Sequence, residues 1–121
     1  MDNRILLIDD EPDILSTLEM TLTQEAYPVA TATGGEAALA LFRKQPFDLV
    51  ITDMRMPGMD GVEVIRRVKA LDPDVAVIML TGYATLENAV TVLRNAGAFD
   101  YLAKPLEDID ELLMVVEKAL E

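Results

Sequence analysis

Ile5-Leu6-Leu7-Ile8-Asp9-Asp10-Glu11-Pro12-Asp13-Ile14-Leu15 runs four aliphatic residues into three acids and then into a proline. Four aliphatic residues without alternation suit a strand buried on both faces, the habit of parallel sheets. Pro12 fits the first turn of a helix, where no backbone N–H is needed. Ile14, Leu15, Leu18 and Leu22 then recur at helical spacing. The same alternation repeats down the chain. Apolar runs at Val29 to Thr33, Leu49 to Thr52, Val75 to Leu80 and Phe99 to Leu102 are each followed by a helix-like stretch. Asp60 before Gly61 punctuates the start of the third helix, and the last stretch sets Ile109, Leu112, Leu113, Val116, Ala119 and Leu120 on one face. Five strand-to-helix alternations in 121 residues predict an α/β fold, an open doubly wound (βα)5 sandwich around a parallel sheet. A (β/α)8 barrel needs about twice this chain. One domain, residues 1–121, is expected.

Composition excludes several chemistries. The chain has no cysteine and no histidine, which removes disulfide scaffolds, thiolate catalysis, zinc sites of the usual ligands and histidine bases. Twenty-two acids against ten bases leave a net charge of −12. That surface repels phosphate backbones and anionic lipid, so neither direct nucleic-acid binding nor membrane binding is expected. The longest apolar run, Val75 to Leu80, is far short of the ~18 residues of a membrane span. Met1-Asp2-Asn3-Arg4 does not read as a signal peptide, and a cytoplasmic protein is the expectation.

In open α/β sheets, ligands gather outside the carboxyl ends of the strands. The residues following the apolar runs are Asp9, Asp10 and Glu11, then Asp53, then Thr81 and Gly82, then Lys104 and Pro105. Each alone has a plain explanation: a helix cap, a turn residue, a β-branched strand end, a solvated loop charge. Their conjunction on several strand ends does not. Two carboxylates about 5 Å apart repel by roughly 3 kcal/mol at an effective dielectric of about 20. Lys104 alone cannot neutralise three aspartates. An all-oxygen site suits a hard divalent cation, Mg²⁺ or Mn²⁺, whose open positions would take a phosphoryl group.

The Asp9-Asp10 pair, Asp53 in DMRMPGMDG (53–61), Thr81-Gly82 and Lys104-Pro105 together resemble the receiver domain of bacterial two-component response regulators. Thr81-Gly82-Tyr83-Ala84-Thr85, followed by Gly97-Ala98-Phe99-Asp100-Tyr101-Leu102, is most similar to receivers of nitrogen-regulator-class transcription activators. The resemblance implies a flavodoxin-like five-stranded sheet of order 2-1-3-4-5. It implies that Asp53 accepts a phosphoryl group from a sensor histidine kinase. Asp10 would ligate Mg²⁺ directly and Asp9 largely through water, with Asp53 and the Arg55 carbonyl completing the protein ligands. Lys104 and Thr81 would bind phosphoryl oxygens, and Tyr101 would be the switch aromatic. The Lys104-Pro105 peptide would be cis, and Arg55 and Tyr83 would flank the path of attacking water. The family further implies a C-terminal output domain that controls transcription and a homodimer through the face of the fourth helix, fifth strand and fifth helix. Ala119-Leu120-Glu121 carries no helix stop, which fits a domain excised from a longer regulator.

Three other readings compete. An aspartate-nucleophile phosphatase would want a second Asp two residues on, where Arg55 stands, and a cap domain. A flavin-binding module would want a hydroxyl- and glycine-rich anion nest after the first strand, where Asp9, Asp10 and Glu11 stand. A degenerate interaction domain would lack part of the site, and no part is missing. Met54, Met56 and Met59 are read as flexible packing beneath the site loop, and Glu107, Asp108, Asp110 and Glu111 as acids at a helix N-terminus.

Overall fold

The computed structural model describes residues 3–82, 95–104 and 106–121. Tyr83, the helix-like stretch after the fourth strand and Pro105, with its expected cis bond, lie outside the described residues. The elements in chain order are β1 (Ile5–Ile8), α1 (Pro12–Gln24), β2 (Val29–Ala32), α2 (Gly35–Lys44), β3 (Leu49–Asp53), α3 (Gly61–Leu71), β4 (Ala76–Thr81), β5 (Asp100–Ala103) and α4 (Ile109–Ala119). The strands form one sheet of order β2-β1-β3-β4-β5, parallel throughout. This is the predicted topology.

Strand alternation divides the apolar residues into two layers. Leu6, Ile8, Val50, Val77 and Met79 pack under α2 and α3 with Ala38, Leu39, Phe42, Val64, Ile65 and Val68. Ile5, Leu7, Leu49, Ile51, Ile78 and Leu80 pack under α1 and α4 with Leu15, Leu18, Leu22, Leu112, Val115 and Val116. β1 and β3 are buried along their whole length, whereas the outer strands β2 and β5 are partly exposed. That is why the inner strands read as unbroken aliphatic runs.

Boundaries moved slightly from the expected ones. β2 stops at Ala32, β4 starts at Ala76 and includes Thr81, and β5 starts at Asp100. Phe99 joins the ladder only through its backbone N–H, which donates to the Val77 carbonyl at 2.7 Å, while its side chain stays exposed. In α4 the buried face is centred on Leu112, Val115 and Val116. Ile109 shares that face but occupies the helix's first position and remains exposed. Asp60 and Asp108 cap α3 and α4, each accepting a hydrogen bond from the backbone three residues on.

α1 ends in a Schellman arrangement. Tyr27 N–H donates to Leu22 O at 3.2 Å and Ala26 N–H to Thr23 O at 3.0 Å, which holds Ala26 at φ +66°. An L-residue other than glycine is strained there, by about 1–2 kcal/mol. Ala26→Gly is expected to stabilise the domain by up to about 1 kcal/mol and raise its melting temperature by a few degrees, read by thermal unfolding.

Candidate functional site

Register brings the site together. Ile8 pairs with Thr52, Asp53 with Leu80, and Thr81 with Ala103, so Asp9, Asp53, Thr81 and Lys104 meet at one edge of the sheet. Main-chain bonds fix the strand ends: Met54 N–H to Leu80 O at 2.9 Å and Lys104 N–H to Thr81 O at 2.8 Å. Among the described residues, the four that are polar or charged and buried inside the fold are Asp9, Thr52, Asp53 and Thr81. Three of them are at this edge, and Thr52 adjoins it.

Asp9 is fully buried. Its Oδ1 accepts from Glu11 N–H at 2.9 Å, a turn that aims Oδ2 at Lys104 Nζ, 2.8 Å away. Lys104 Nζ also lies 3.2 Å from Asp53 Oδ2 and 3.4 Å from Glu11 Oε1. Asp9, expected only as a metal ligand, is thus the nearest partner of the ammonium, and Glu11 joins it. The acids were visible in sequence, but the turn that orients Asp9 was not. Asp10 and Arg55 are exposed, and Tyr101 is half-buried on β5 against the α2–α3 layer.

Burial raises the Asp53 pKa, the negative charge of Asp9 raises it further, and the Lys104 hydrogen bond and charge offset only part of this. For Lys104, burial pulls the ammonium's pKa down. Hydrogen bonds and attraction from Asp9 and Asp53 outweigh it, and the net direction is up. Lys104 therefore stays charged through neutral pH, and its stabilising contribution is lost only as the pH rises through its raised pKa.

One carboxylate oxygen each from Asp9, Asp10, Glu11 and Asp53 can be drawn within 4.8 Å of one another. Asp9 Oδ2 is buried, and among the described residues its partner is the Lys104 ammonium at 2.8 Å, in poor hydrogen-bond geometry, so its acceptor capacity is only partly used. An under-satisfied carboxylate oxygen in an all-oxygen cluster fits a hard divalent cation.

The loop after Asp53 is anchored by Gly61, whose N–H donates to Met54 O at 2.9 Å. A Cβ at Gly61 would collide with the Asp53 carbonyl oxygen and stand 2.9 Å from Met79 Sδ. Met54, Met56 and Met59 pack against the α2–α3 layer, as the packing reading expected.

A parallel 2-1-3-4-5 sheet with a lysine-bridged acid cluster at its carboxyl edge defines a signalling domain of the receiver type. The family model for the response regulator receiver domain matches residues 5–117, and the chain belongs to that family. It is 44% identical over 116 residues to the transcriptional regulatory protein ZraR of Escherichia coli K12, covering 96% of this chain and 26% of that protein. The chain therefore spans about a quarter of the length of this curated relative. Among solved structures, a response regulator receiver domain protein from Clostridium thermocellum superposes with a TM-score of 0.88 at 37% identity, covering 97% of this chain and 93% of that one. NtrX from Brucella abortus superposes with a TM-score of 0.91 at 34% identity, covering 99% of this chain and 27% of that one. The likeness to receivers of nitrogen-regulator-class activators agrees with these relatives.

Two outcomes follow from the geometry. Between the ordinary carboxylate pKa and the raised one, folded Asp53 holds a proton that the unfolded chain has lost. Its contribution to stability therefore falls as pH rises through that window and is fully unfavourable above it. Asp53→Asn should melt higher than the parent in EDTA at pH about 7.5, by on the order of 1 kcal/mol, and the gap should close towards pH about 4. Gly61→Ala should cost at least about 2 kcal/mol in denaturant unfolding, since backbone rather than a flexible side chain must move.

Proposed function

We propose that this domain takes a phosphoryl group from a phosphohistidine of a sensor histidine kinase onto Asp53, in a Mg²⁺-dependent reaction, and thereby controls transcription. The observation that carries the reading is the buried Asp53 carboxylate, ion-paired to Lys104 and crowded by Asp9. An ionised carboxylate needs no general base. One Asp53 oxygen attacks phosphorus, the P–N bond to the imidazole breaks, and the leaving nitrogen keeps the electron pair and takes a proton from solvent. Lys104 then donates to one phosphoryl oxygen and the Thr81 hydroxyl to another. Tyr101 moves inward as Thr81 is drawn towards the phosphoryl group.

Asp10 and Asp53, with the Arg55 carbonyl, would hold the cation directly, and Asp9, engaged by Lys104, would act through water. Mg²⁺ supplies charge neutralisation of the carboxylates and the transferring group; Mn²⁺ would substitute. A pocket of about 200 Å³ lined by Asp13, Ile14, Thr17, Leu18, Lys104 and Leu106 adjoins the acids and offers an apolar seat for the kinase. Residues 1–121 act as one receiver domain of a longer, cytoplasmic regulator, with an output domain following it and a homodimer forming through β5, α4 and the stretch of sequence between β4 and β5. Its catalysis is confined to its own phosphorylation and dephosphorylation. No helix among the described residues is long and apolar enough to cross a membrane.

Incubation with acetyl phosphate and Mg²⁺, read by intact mass, should add one phosphoryl group to the parent and none to Asp53→Asn or to the parent in EDTA. Uptake by Asp53→Asn equal to the parent's would overturn the assignment. Mg²⁺ at 100 times its dissociation constant should also stabilise the parent by about 2.7 kcal/mol in thermal melts.

A further inference from the structure

An ammonium has three donors, and Lys104 Nζ meets three carboxylates, those of Asp9, Asp53 and Glu11. The three are not equally able to let it go. Asp9 is fully buried, and removing the Lys104 ammonium, its ion-pair partner among the described residues, would strand a charge away from water. Asp53 is the reacting group. The Glu11 side chain is 60% exposed, so water can replace the ammonium at little cost. Its hydrogen bond to Lys104, at 3.4 Å, is also the longest of the three contacts.

The Glu11 backbone, by contrast, is held. Its N–H donates to Asp9 Oδ1 at 2.9 Å, and its carbonyl accepts from Ile14 N–H at 3.1 Å and Leu15 N–H at 3.2 Å. Its own side chain makes no cap hydrogen bond to α1. The carboxylate therefore swings from a fixed root, and the contact printed on it by the fold is the one with Lys104.

We propose that Glu11 is a positioning residue, a placeholder that occupies one Lys104 donor in the unphosphorylated domain and surrenders it to the incoming phosphoryl oxygen. This rests on Asp53 being the phospho-acceptor. Removing the placeholder frees the donor in advance, so it should speed phosphoryl uptake, whereas loss of a merely structural residue would slow it.

The test measures the second-order rate constant for phosphorylation by acetyl phosphate at saturating Mg²⁺, with the Mg²⁺ dissociation constant of each variant determined separately by calorimetry. Glu11→Ala should raise the rate constant about two- to five-fold, the worth of an exposed ion pair. Glu11→Asp keeps the charge but is one methylene too short to reach Lys104, and it should rise nearly as far. If Glu11→Asp behaves like the parent while Glu11→Ala is faster, charge alone is responsible and the placeholder is overturned. An unchanged or slower Glu11→Ala overturns it as well. Failure of the underlying reading looks different: the parent itself takes up no phosphoryl group, or Asp53→Asn takes it up equally.

Discussion

One half-buried ammonium facing more than one negative charge is the constraint on which this edge of the molecule depends. Lys104 lies within 3.4 Å of three carboxylates, and the most buried of them, Asp9, has no other counter-charge in contact among the described residues. A balanced pair would be inert. Burial first and the charge of Asp9 second raise the Asp53 pKa, and Lys104 offsets only part of this, so the Asp53 carboxylate is held in its charged form at a cost. The site is left in want of positive charge, and the sheet around it has to be firm enough to hold groups that repel one another.

That firmness comes above all from β1 and β3, the two strands buried along their whole length. β1 and β3 deliver Asp9 and Asp53 from runs buried along their whole length, with a full apolar layer on each side. β4 and β5 deliver Thr81 and Lys104, tied to each other by the Lys104 N–H to Thr81 O hydrogen bond. Gly61 clears the space behind the Asp53 carbonyl, so the loop can turn tightly into α3. Packing and electrostatics thus divide the work: apolar layers supply the stability that the acid cluster gives up.

Sequence showed most of the fold because the informative signals were local. Aliphatic runs without alternation gave buried parallel strands, and the acids after them gave the edge where chemistry gathers. Pro12 and Asp60 marked helix starts that the structure keeps. Less legible were the partnerships. Lys104 is 93 residues from Glu11, and its preference for Asp9 over Asp53 in distance depends on an Asx turn made by Asp9 with Glu11. Periodicity placed the face of α4 correctly, with Leu112 and Val116 in the core, but not its end, since Ile109 lies on that stripe at the helix's first position and stays exposed. Residue type and spacing announce an element; which oxygen meets which nitrogen is decided by rotamers and turns.

The net charge of −12 poses a last question, because such a surface repels the phosphorylated groups the proposed reaction needs. Global charge acts over distances that salt screens within about 8–10 Å, whereas the buried edge is screened much less. Donor capture is therefore governed by the few groups at the edge. There, in the proposed reaction, the acids would gather a cation that reverses their own sign locally, and Lys104 adds a fixed positive charge. The same arrangement discourages phosphorylation without the cation, since the bare cluster repels an incoming phosphoryl dianion. On the proposed reading an acid-rich site suits a switch: it would be unreceptive until a cation bound, and the excess charge that crowds it would then be the means of holding the metal.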